Sequence, residues 1–159
     1  MSTLGAPRSS WRDGATITSP AELVSHGEAE TEAAGERLGT SLQAGDVLLL
    51  NGELGAGKTA FVRGLARGAG CVGDVLSPTF QLLRLYGGRV PLAHVDLYRL
   101  SRPSDVADLG LEEILEVGAA AIEWGDRLAW PGVASLEFEV LGHSVRRLTL
   151  TGAPEHWSW

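Results

Sequence analysis

The chain has 159 residues, enough to bury one hydrophobic core and within the usual size of a single domain. Hydrophobic residues make up 44% and charged residues 21%, with a formal net charge of -7, a globular balance that argues against disorder and against broad electrostatic binding to nucleic acid. The longest apolar run, Val47-Leu48-Leu49-Leu50, is far too short to cross a bilayer, and the lone Cys71 offers neither an internal disulfide nor a metal-ligand spacing. A cytoplasmic protein without a membrane partner is the expectation.

Residues 1–14 are rich in Ser, Gly, Arg and Pro, lack the apolar segment of a secretory signal, and read as a loose tail. Residues 15–152 read as one domain, and residues 153–159 as a second tail whose Trp157 and Trp159 form either an exposed patch or a disordered end. Ser19-Pro20 opens a segment that becomes helical from Glu28 to Leu42, with acids early and Leu38 and Leu42 one turn apart; Gly45 closes it. Asp46 to Asn51 is a continuous apolar run of strand length, the pattern of a strand buried on both faces of a parallel sheet. Thr59 to Ala69 places Phe61, Val62, Leu65 and Ala66 at helical spacing, with Gly68 and Gly70 at its end.

Downstream, Phe80 to Tyr86 and Val90 to Val95 flank Gly87-Gly88 and read as two antiparallel strands. Ser104 to Glu116 reads as helical, with Ser104 as cap and Gly110 as a point of division. Ala119 to Glu123 is another buried strand. Ser135 to Leu141 and Val145 to Thr151 alternate apolar and polar residues around Gly142-His143 and predict a closing hairpin.

Between the first buried strand and the following helix lies Gly52-Glu53-Leu54-Gly55-Ala56-Gly57-Lys58-Thr59, a complete P-loop (Walker A) pattern in the strand-loop-helix context its mechanism requires. Glycines let successive backbone N–H groups turn inward around phosphate oxygens, and the helix points its positive end at the same anion. Lys58 supplies a charge that reaches the terminal phosphates, and the Thr59 hydroxyl is placed to ligate the bridging Mg2+. The expected fold is therefore α/β, a three-layer P-loop NTPase-like domain with a mixed, largely parallel sheet and antiparallel additions, binding nucleotide phosphates and Mg2+. A P-loop site also needs a carboxylate for the metal and a group that orients water. Asp96 and Glu123 each end an apolar strand, and either could project toward the phosphates. Thr79, in the turn Ser77-Pro78-Thr79-Phe80, has the character of a switch residue that contacts Mg2+ or the terminal phosphate. His94, flanked by apolar residues, is read as packing beneath the site.

Taken together, the P-loop, Ser77-Pro78-Thr79-Phe80, His94-Val95-Asp96-Leu97-Tyr98-Arg99-Leu100 and Glu123-Trp124 resemble the TsaE (formerly YjeE) family in order and spacing, from about Thr31 to Trp124. Leu109-Gly110-Leu111 followed by acids is similar as well. The resemblance implies that the nucleotide is ATP and that the chain is an ATPase accessory of tRNA threonylcarbamoyladenosine modification. In that family TsaD, supported by TsaB, transfers threonylcarbamoyl to tRNA, and ATP hydrolysis by TsaE keeps the machine cycling, so tRNA is met indirectly. Carried over residue by residue, it implies Mg2+ at Thr59 and Glu123, phosphates at Lys58, and Asp96 supporting the metal or the catalytic water. It implies the loop Glu53, Leu54, Gly55, Ala56 and Gly57 around the nucleotide, Thr79 as switch, and Glu28, Thr31 and the Gly142-His143 turn near the adenine. The sequence departs from the family pattern before Thr16, after Pro154, and at Asp126 in Gly-Asp-Arg. Two rival readings are a small-molecule kinase, for which Arg84, Arg89, Arg99 and Arg102 form no obvious lid, and a nucleotide-dependent binding switch with negligible turnover.

Overall fold

The computed structural model describes residues 21–53, 55–73, 83–97, 110–124 and 132–159. The tail at 1–14, Leu54, the Ser77–Phe80 turn with Thr79, Tyr98 to Leu100, the Ser104 cap, Asp126 and Trp130 lie outside the described residues.

Among the described residues seven strands form one mixed sheet in the order β1-β7-β6-β2-β5-β4-β3. Its centre is parallel, with β2 (Val47–Asn51) between β6 (Ala134–Val140) and β5 (Ala119–Glu123), and β5 beside β4 (Leu92–Asp96). Antiparallel strands complete both sides: β3 (Leu83–Tyr86) on β4, and β7 (Arg146–Thr151) on β6, followed by β1 (Ala21–Ser25). Every residue of β2 and β5 is buried, as their unbroken apolar runs require. Helices cover both faces of the sheet centre. Leu48, Leu50, Ala119, Ala121 and Leu92 pack toward α1 (Glu28–Gly39) and α2 (Lys58–Gly68), while Val47, Leu49, Ala120, Ile122, Ala93 and Val95 pack with Leu111 and Leu115 of the short helix α3 (Leu111–Leu115). Among the described residues no helix is long and apolar enough to cross a membrane.

The expected helix over Glu28 to Leu42 is preceded by a strand that local pattern does not reveal. Strand β1 is a short outer strand with Leu23 as its main apolar contribution, and its pairing partner β7 lies at the far end of the sequence. The helix also stops at Gly39, where Thr40 and Ser41 hydroxyls donate back to the Arg37 and Leu38 carbonyls, leaving Leu42 beyond it. Gly110, with φ of 74°, immediately precedes the short α3, and the part of the expected helix before it lies outside the described residues.

Residues 153–159, expected to form a tail, pack against the domain. The carboxylate of Asp46, buried just before β2, accepts the Gln43 amide (2.8 Å) and the Trp157 indole N–H (2.7 Å), and stands 2.9 Å from His156 Nε2. The Trp159 ring meets Phe61 of α2 edge-on at 6.5 Å. A buried carboxylate needs several partners to offset its lost hydration, and the C-terminal residues supply two of them. The sequence signal was ambiguous because an aromatic cluster near an end reads equally as exposed.

Helices α1 and α2 touch through glycines. A Cβ added to Gly35 or Gly39 of α1, or to Gly64 or Gly68 of α2, would fall well inside van der Waals contact of the facing helix's backbone carbonyls. Beside this seam Arg63 pairs with Glu28 and Glu32, and Arg67 with Glu32 and Glu36. Apart from Glu32, 17% exposed, the partners are solvent-accessible and such pairs contribute little each, so the close approach carries the packing. Replacing Gly64 by Ala improves intrinsic helix preference by about 1 kcal/mol, yet forces a methyl into the Glu32 carbonyl. Overpacking of this kind costs about 1–3 kcal/mol or more. Gly64→Ala is therefore expected to lower the urea midpoint at unchanged m-value; a midpoint equal to or above the parent's would show that the helices separate freely.

Candidate functional site

Backbone conformation at the end of β2 builds the loop. Gly55 and Gly57 have φ of 79° and 104°, in the left-handed region that a side chain resists, and Gly52 has φ of 154°. A Cβ on Gly52 would also press on the Phe138 backbone and side chain. Gly57 precedes the first residue of α2, and no side chain caps that helix. Its first-turn amides and its positive dipole end thus open toward the loop. Glu53 and Gly55 are exposed, while Ala56 is buried and its amide bonds the Glu53 carbonyl at 3.1 Å.

Lys58 is 4% exposed, so its charge needs local compensation. Its Nζ donates to the Gly52 carbonyl and lies 3.6 Å from the centroid of the Trp124 ring. Trp124 is the only non-glycine described residue with positive φ, at 62°. This conformation costs on the order of 1–3 kcal/mol for a bulky residue and marks places where structure is held for a purpose. Its amide donates to the Leu50 carbonyl at 2.8 Å, which anchors the turn that brings the indole over Lys58. Thr59, the second residue of α2, is partly exposed.

The carboxylates come from the neighbouring strands. In the parallel register Leu50 is opposite Glu123, and Glu123 opposite Asp96, so both acids stand at the C-terminal ends of strands beside the one that opens into the loop. Alternation along β5 sets Glu123 on the face of Ala119 and Ala121, toward α2; along β4 it sets His94 and Asp96 on the face of Leu92, the same side. Glu123 is 5% exposed and its Oε2 is 2.5 Å from His94 Nε2. Among the described residues no three His, Cys, Asp or Glu side chains form a metal cage. Two carboxylates and a hydroxyl beside a phosphate loop fit Mg2+, a hard cation that takes few protein oxygens and keeps phosphate and water ligands.

Of the residues expected near the adenine, Thr31 is buried beside the loop: a Cβ on Gly57 would meet its Cγ2 at 3.6 Å, and its hydroxyl bonds that of Ser25 at 2.7 Å. Glu28 is exposed and turned to the helix seam, paired with Arg63 at 2.9 Å. Sequence reasoning missed Arg146. Its guanidinium donates to the Gly55 carbonyl at 3.2 Å and to the Gly142 and Val145 carbonyls at 3.0 and 3.1 Å, joining the β6–β7 turn to the phosphate loop. A single arginine after a turn carries no spacing signal that could have found it.

The family model described as Threonylcarbamoyl adenosine biosynthesis protein TsaE matches residues 25–148. The chain belongs to the TsaE family. A tRNA threonylcarbamoyladenosine biosynthesis protein TsaE of Treponema pallidum is 45% identical over 67% of this chain and 79% of its own. The protein of the same name from Streptomyces coelicolor is 41% identical over 78% and 91%. Among solved structures, YdiB of Bacillus subtilis superposes with a TM-score of 0.70 at 29% identity, covering 86% of each chain. The region matched by the TsaE model runs from the last residue of β1 into β7 and contains the loop, Asp96, Glu123, Trp124 and Arg146.

The contact between Lys58 and Trp124 gives this TsaE chain an optical readout. If a bound nucleotide draws the ammonium onto its phosphates, the Trp124 environment changes. Addition of ATP with Mg2+ is expected to alter indole emission in the parent and to leave it nearly unchanged in Trp124→Phe, with binding of a fluorescent ATP analogue retained. An equal emission change in the variant would place the reporter elsewhere.

Proposed function

We propose that this TsaE chain binds ATP with Mg2+ and hydrolyses it in the cytoplasm as an accessory of tRNA threonylcarbamoyladenosine modification, acting with TsaD and TsaB and meeting tRNA only through them. The observation that carries the reading is the convergence of the Gly52–Thr59 loop, the α2 N-terminus and the Asp96–Glu123 pair at one end of the parallel strands. The names of its relatives support the pathway.

In this reading the amides after Gly55 and Gly57 cradle the phosphates, and Lys58 exchanges the Gly52 carbonyl and the Trp124 face for phosphate oxygens. Thr59 and Glu123 would hold Mg2+, which when bound neutralises charge on the terminal phosphates. Asp96, beside Glu123, supports the metal or orients the attacking water, and Thr79 acts as the switch that senses the terminal phosphate. Thr31 and the Arg146-bound turn flank the loop on the side proposed for the nucleoside, where Glu28 would join them on leaving Arg63. Lys58 stands at the loop between the Gly52 carbonyl and the Trp124 face, where phosphate oxygens would offer its ammonium charge-assisted hydrogen bonds.

Purified protein is expected to hydrolyse ATP slowly, and faster with TsaD and TsaB. Lys58→Ala should lose at least about 100-fold in rate, the order seen when one stabilising donor of a transition state is removed. Nucleotide-dependent binding of the partners without turnover would replace the ATPase reading by a binding switch. Indifference to the partners, with ATP binding intact, would remove the tRNA-modification role.

A further inference from the structure

Among the polar groups beneath the loop, His94 has no role in the reading above. Its side chain is completely buried, its Nε2 lies 2.5 Å from Glu123 Oε2, and its Nδ1 is buried without a hydrogen-bond partner among the described residues. An ionised carboxylate only accepts, so the proton between the two belongs on Nε2. A proton on Nδ1 would be a buried donor without an acceptor, which costs more than a lone pair left unmade. Among the described residues the imidazole thus has a single polar contact, and that contact is one oxygen of the residue proposed to hold Mg2+.

We infer that His94 is a positioning residue, whose Nε2–H fixes one oxygen of Glu123 so that the other is presented to the metal. The inference rests on the assignment of Glu123 as a Mg2+ ligand. The backbone makes the pair stiff: His94 faces Ala121 in the parallel register and stands two residues before Asp96, which is itself opposite Glu123. The ring has little room to swing away, since it is completely buried and Leu92 and Ala121, on the same face of the two strands, are fully buried as well. A carboxylate held by its own hydrogen bond pays less orientational entropy when a cation arrives. Outer partners of metal ligands typically contribute 10–100-fold to metal affinity.

The test uses Mn2+ as the probe, followed by electron paramagnetic resonance in the full-length protein with a non-hydrolysable ATP analogue. His94→Phe keeps the ring volume and removes the donor; His94→Gln keeps a donor at the position of Nε2. Expected is a 10–100-fold weaker Mn2+ affinity for His94→Phe, recovery to within about threefold for His94→Gln, and unchanged binding of the analogue in EDTA. Glu123→Gln is the reference. If it weakens Mn2+ and His94→Phe does not, the positioning role falls while the metal assignment stands; if Glu123→Gln binds Mn2+ like the parent, the metal assignment itself falls. Should His94→Phe fail to fold, nitrogen-15 shifts of the parent imidazole decide: Nε2 protonated with Nδ1 bare supports the role, and the opposite tautomer overturns it.

Discussion

Everything at the site hangs on the register of three parallel strands. Backbone hydrogen bonds set Leu50, Glu123 and Asp96 in one row, so the start of the phosphate loop and the two carboxylates share a position that no side-chain contact has to enforce. The row holds because the strands are buried on both faces, where a slip by one residue would turn Glu123 into the α3 side of the core and expose apolar groups in exchange. Alanines at 119, 120 and 121 keep β5 thin, and His94 fills the space beside Ala121. Precision in the acids is thus supplied by the same interactions that stabilise the sheet.

A second constraint is the separation of the two helices on that face. Glycines at 35, 39, 64 and 68 let α1 lie against the backbone of α2, which brings Thr31 to the side of Gly57. With larger residues along the seam α1 would stand off, and the wall that Thr31 and Ser25 form beside the loop would retreat with it. The arginine–glutamate pairs along the seam are solvent-screened and fix the rotational setting of the helices more than their affinity.

Features encoded within a few adjacent residues were legible in the sequence: the β2-loop-α2 unit, the buried strand ending at Glu123, and the hairpin of β6 and β7. Their signals are a glycine spacing, an unbroken apolar run and an alternation, each complete in about ten residues. The resemblance to TsaE was likewise carried by local motifs. Features that depend on distant partners were not legible. β1 exists because β7 offers it an edge, and Trp157 is buried because Asp46 needs a donor. Arg146 meets Gly55 only once the closing hairpin has docked. His94 is buried, in keeping with its apolar neighbours in sequence, but its pairing with Glu123 follows from strand register, which the sequence does not display.

The placement of Asp46 and Trp157 has a consequence for how the chain comes into being. Strand β2 is synthesised well before its neighbour β6, and the carboxylate at its base waits for the indole of Trp157. The first strand waits longer still, for β7. A nascent chain emerging from the ribosome therefore carries its most apolar strand, and its phosphate loop, before the surfaces that cover them have been made. Completion of the loop's surroundings thus waits for strands made long after the loop itself, so a product that stopped before β6 would lack the sheet partners on which a working loop depends.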